Sequence, residues 1–97
     1  MDLNRVVQIA MLGEVPPSLR FLYVYLQDCV LIFHAVFDST ATDDHLESAR
    51  CVCTEVLADC PWDTKLNEQI IVSDSIPWKR GNGEHLMFLR YGELSDT

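Results

Sequence analysis

RFLYVYLQDCVLIFHAVF, residues 20–37, is the stretch on which the fold turns. It is dense in Val, Ile, Phe and Tyr, the side chains that suit a pleated surface. It reads as two strands, 20–26 and 29–37, around a tight turn at Gln27-Asp28. With an even-membered turn, Leu26 faces Cys29, Val24 faces Leu31 and Leu22 faces Phe33. Side chains alternate strictly along a strand, so these residues share one face with Ala35 and Phe37. That face is wholly apolar and is the expected core. The opposite face carries Phe21, Tyr23, Tyr25, Val30, Ile32, His34 and Val36, apolar and aromatic with a polar handle.

Outward from this hairpin the chain reads as helices and further strands. Upstream, Asp2 caps a helix over about 3–12 whose Leu3, Val6, Val7 and Ala10 form one apolar stripe. Gly13 and Pro16-Pro17 stop it. Downstream, Thr42 is the N-cap of a second helix, with Asp43 and Asp44 in its first turn, where negative charge is favourable. Leu46, Ala49, Cys53, Val56, Leu57 and Cys60 form its buried stripe, and Pro61 ends it. At 100° per residue, Asp44, Glu47, Glu55 and Asp59 fall on the other side. Residues 66–73 and 85–91 read as two more strands, joined by a long exposed connection, 74–84, that contains Trp78-Lys79-Arg80. The expected fold is α+β and two-layered, a single domain over 1–97 in the order α-β-β-α-β-β. A four-stranded, mainly antiparallel sheet carries both helices on one face.

With 97 residues there is room for one core. No apolar run approaches the roughly 18 residues of a membrane-spanning helix, and the N-terminus lacks the pattern of a signal peptide. A cytoplasmic protein without membrane contact is expected. Cys29, Cys51, Cys53 and Cys60 have neither disulfide nor zinc spacing and read as free thiols. His34, His45 and His85 lack the spacing of a helical metal motif. Nothing local marks a nucleophile, and Gly81-Asn82-Gly83 is a turn with no helix start after it to make a phosphate loop. No catalytic, cofactor-binding or metal-binding residues are assigned, and the protein is expected to bind rather than catalyse.

The net charge of −8 is concentrated. Residues 28–63 hold eight acids and only Arg50, a net of −7, whereas residues 1–27 are neutral and residues 64–97 carry −1. Phosphate backbones require a basic face, so direct nucleic-acid binding is not expected. A basic protein partner is, because opposite fields speed encounter and fix orientation. Asp44, Glu47, Glu55 and Asp59 are the expected electrostatic contacts. Solvation of an ordinary amphipathic helix is the plainer account of the same residues. Tyr23 and Tyr25, on a sheet face that a two-layer domain leaves open, are expected apolar contacts; coverage of that face by the first helix, or by a second copy in a homodimer, is the alternative. Trp62 and Trp78, in loops beside charges, read as anchors or as local staples.

Phe37-Asp38, Thr42 to Asp44, and Thr54-Glu55-Val56-Leu57-Ala58-Asp59-Cys60-Pro61, with the helix ending in Gly and Pro-Pro and the hairpin after it, resemble a family of small acidic bacterial proteins. These are immunity proteins of polymorphic toxin systems, including contact-dependent growth inhibition. The similarity runs from residue 3 to 91. The family pattern often has Gly after the Phe-Asp pair and an aromatic before the Pro, where this chain has Ser39 and Cys60. The resemblance implies a cytoplasmic protein that binds the toxic domain of its cognate effector. Many such toxins are nucleases with basic active sites, which an acidic partner would fill as a mimic of the nucleic-acid backbone. The second function class is a homodimeric structural or regulatory module with no toxin partner.

Overall fold

The hairpin forms around Asp28-Cys29, both at positive φ (52° and 64°). A two-residue loop with both residues in that region matches the right-handed twist of the flanking strands. A computed structural model, which describes residues 2–13, 15–76 and 86–90, gives α1 (Leu3–Met11), β1 (Leu19–Gln27), β2 (Val30–Phe37), α2 (Asp43–Ala58), β3 (Lys65–Val72) and β4 (Leu86–Leu89). The turn therefore sits one residue later than expected, and the pairing becomes Leu26 with Leu31, Val24 with Phe33 and Leu22 with Ala35. This differs from the expected register by two residues, and a slip of two leaves every side chain on its original face. Six of the expected inward residues, Leu22, Val24, Leu31, Phe33, Ala35 and Phe37, are buried. Leu26 and Cys29, also expected in the core, are exposed at the hairpin tip, Cys29 because it has become part of the turn.

The sheet order is β3-β2-β1-β4. β1 pairs antiparallel with both β2 and β4, but β3 runs parallel to β2 along its whole length. The sheet is thus mixed, which corrects the mainly antiparallel expectation. The reason is α2: it carries the chain back across the sheet, so β3 starts at the same end as β2 and runs in the same direction beside it. Both helices lie on the same face, where Val7 and Ala10 of α1 and Ala49, Val52, Cys53 and Val56 of α2 close over the inward row of the sheet.

The opposite face holds a second, smaller cluster. Phe21, Tyr23 and Val36 are buried there, with Ile71, Ile76, Leu86 and Leu89 packed against them. Phe21 and Tyr23 meet edge to face, centroids 5.9 Å apart. The expectation of an open aromatic face is corrected at Tyr23, which is 6 % exposed. The chain beyond β3 turns back under the sheet at Ile76, and β4 completes the cover. Tyr25, one row nearer the hairpin tip, is half-buried.

Candidate partner-binding surface

α2 is doubly capped at its start. Thr42 Oγ1 accepts from His45 N–H (3.2 Å), while His45 Nδ1 accepts from Thr42 N–H (3.3 Å), a reciprocal capping box. Ser18 Oγ lies 2.7 Å from the same Nδ1. Since Nδ1 accepts from the Thr42 amide, the Ser18 hydroxyl donates to it and the ring proton sits on Nε2. His45 thus ties the first turn of α2 to the loop before β1. Asp43 and Asp44 add negative charge where the helix dipole favours it.

The far end of α2 is built differently. Asp44, Glu47, Glu55 and Asp59 are all exposed, a row spanning about 22 Å at 1.5 Å per residue. Glu55 lies in the last turn and Asp59 is the C-cap, where the dipole disfavours negative charge, and no basic residue occupies that turn. Among the described residues the only ion pair on the helix is Arg50 with Glu47, at 3.2 Å and exposed, a contact worth less than about 1 kcal/mol. The other described arginines on the sheet are engaged elsewhere. The Arg20 guanidinium is buried, donates to the Ser73 carbonyl at 2.9 Å and lies over the Phe21 ring. Arg90 pairs with Asp38 at 2.5 Å.

Immediately after α2, Thr64 N–H donates to the Pro61 carbonyl at 2.9 Å and closes a turn with Trp62 and Asp63 at its corners. Trp62 is 97 % exposed. A local staple would be covered, so this indole does not serve as one. The turn adjoins the hairpin tip through Lys65 N–H and the Cys29 carbonyl (2.8 Å). Exposed Asp28, Asp59 and Asp63 therefore lie in the chain segments that meet at this end of the molecule, together with exposed Leu26 and Leu66. Tyr25 lies in the third strand row from the same tip. Trp78 lies outside the described residues, as do Lys79, Arg80 and His85.

The remaining reactive side chains have structural environments. All four cysteines are free. Burial and the neighbouring Glu68 carboxylate push the Cys53 thiol up to about 12, and burial also raises Cys60, so neither is a nucleophile at neutral pH. Burial lowers the pKa of His34, whose Nε2 has no hydrogen-bond partner among the described residues. Among those residues no three His, Cys, Asp or Glu side chains gather as a metal site, and no helix is long and apolar enough to cross a membrane.

With this geometry in place, the comparison with known families is informative. The model described as MafI2 immunity protein matches residues 1–92. The chain belongs to the MafI2 immunity protein family. No curated protein matches it. The MafI2 assignment agrees in kind with the resemblance read from the sequence, a small bacterial immunity protein of polymorphic toxin systems. It makes neutralisation of a toxin the function and a toxin the partner.

The residues that carried the resemblance mostly maintain the MafI2 fold. Phe37 is fully buried at the end of β2. Asp38 accepts from both the backbone N–H and the hydroxyl of Thr40 and from Arg90. Thr42 caps α2, and Val56 and Cys60 face the core. The acidic row and Trp62 are the surface those residues display.

Proposed function

We propose that this MafI2 immunity protein neutralises a basic toxin domain, a nuclease of a contact-dependent growth inhibition system, inside the cytoplasm. It does so by presenting the exposed face of α2 and the turn that follows it. The row Asp44, Glu47, Glu55 and Asp59 meets the cationic surface that such an enzyme uses for phosphates. Trp62 inserts as the apolar anchor, with Tyr25 beside it. The observation that carries this reading is the last turn of α2. Glu55 and Asp59 stand at the helix end where the dipole disfavours carboxylates, with no basic residue in that turn, and the exposed Trp62 follows three residues after the cap. A cationic partner would relieve the charge and cover the indole.

The test is affinity for the purified, catalytically silent toxin domain. Trp62→Ala is expected to cost about 2 kcal/mol of binding, the size of an interface hot spot. The fourfold variant Asp44→Asn, Glu47→Gln, Glu55→Gln, Asp59→Asn is expected to weaken binding chiefly through slower association. Full affinity in both variants would place the contact elsewhere.

A further inference from the structure

β3 is an edge strand, and its hydrogen-bonding phase is fixed at both ends. Lys65 N–H donates to the Cys29 carbonyl and Ser73 N–H to the Phe37 carbonyl, both at 2.8 Å. The parallel register between them has no shift. In a parallel ladder alternate residues bond to one neighbour. Residues 65, 67, 69 and 71 therefore turn their backbone groups to β2, and Leu66, Glu68, Ile70 and Val72 turn theirs outward. Those outward N–H and C=O groups have no partner among the described residues. Edge strands are protected by prolines, bulges, brevity or charged side chains, and β3 has only the last of these, in Lys65 and Glu68. It is eight residues long, unbulged and free of proline.

The four residues with outward backbone groups also share the sheet face that bears the helices. Leu66 and Val72 are 42 % and 49 % exposed there, with Glu68 between them. α2 is the helix packed against β3. The open edge thus lies beside the helix that carries the acidic row. A second copy added across this edge would bring two α2 helices, and two rows of carboxylates, toward each other. A cationic partner meets no such repulsion.

We infer that β3 is completed by an extended strand of the toxin domain, with a basic side chain opposite Glu68 and apolar ones opposite Leu66 and Val72. Main-chain bonds supply affinity in such strand addition, and the facing side chains supply choice of partner. The inference rests on the toxin-binding reading above and deepens it.

Amide hydrogen exchange, read residue by residue by NMR on the whole chain with and without the catalytically silent toxin domain, tests it. In the unbound chain the amides of residues 67, 69 and 71 are expected to exchange slowly and those of 66, 68, 70 and 72 quickly. On complex formation the second set is expected to slow by about tenfold or more, and Glu68→Lys is expected to weaken binding by about tenfold. A complex in which those four amides still exchange quickly overturns the strand addition and leaves toxin binding standing. If no complex forms at all, both fall. If the same four amides slow in the chain alone as concentration rises, with a dimer seen by light scattering, the edge belongs to a second copy and the inference is overturned.

Discussion

The two ends of α2 share one helix and one kind of charge, yet they answer to different demands. At the first turn, Asp43 and Asp44 lie where the helix dipole favours carboxylates, Thr42 and His45 close a capping box, and Ser18 fastens the ring. Those groups stand where capping and the dipole favour them. At the last turn, Glu55 and Asp59 oppose the dipole with no base nearby in that turn, and Trp62 stands in solvent. Acidic residues that folding explains say nothing about a partner. Acidic residues that folding disfavours are the ones on which the proposed toxin contact rests.

Substitutions at the two ends should separate accordingly. The largest effect belongs to the core that leads into the first end: Phe37→Ala is expected to lose about 3–5 kcal/mol of stability, read by denaturant unfolding. Thr42→Ala removes the cap and should cost about 1 kcal/mol, while the folded fraction binds toxin as before. A loss of affinity larger than the loss of stability would mean that the first turn also makes contacts. At the far end the sign reverses. Glu55→Gln with Asp59→Asn should leave stability unchanged or raise it, by about 0.3–1 kcal/mol per charge at low salt, while weakening the complex. A clear loss of stability there would remove the contrast between the ends.

The last contrast is read in acid and concerns Asp38, in the loop leading to the capped end. Hydrogen bonds from Thr40 and Arg90 hold its carboxyl at about 2, below its ordinary 3.8. A depressed carboxyl stabilises the fold fully above the unfolded value and loses that contribution as pH falls toward the folded one. Acid unfolding of the native chain should therefore steepen between pH 3.8 and about 2, and Asp38→Asn should flatten that interval. Unchanged steepness would assign the acid sensitivity to other carboxylates.

Much of this arrangement was legible in the sequence. α2 was readable almost to the residue, because Thr42, the acid pair and Pro61 are strong local signals and the apolar stripe has helical period. The inward face of the hairpin was equally legible, since alternation survives a two-residue error in register. The turn itself was not: a loop with both residues at positive φ normally announces itself with Asn or Gly, and Cys29 gives no such sign. The capping box was hidden because His45 occupies the place usually held by Glu or Gln. The parallel pairing of β3 follows from connectivity rather than from any residue in it. Burial of Tyr23 depends on Ile76 and Leu86, whose return beneath the sheet no local pattern encodes. At the candidate surface, exposure of the four carboxylates followed from helical phase, whereas the choice between anchor and staple for Trp62 required its 97 % exposure.

The central claim is that carboxylates on the face of α2 draw in a cationic toxin, and the association rate as a function of ionic strength tests it most directly. At low salt the rate constant should approach about 10⁸ M⁻¹s⁻¹ and fall toward about 10⁵–10⁶ M⁻¹s⁻¹ as salt screens the fields, with most of that slope lost in the fourfold neutral variant. A rate constant that stays flat with salt, or a slope that the variant leaves intact, would contradict it.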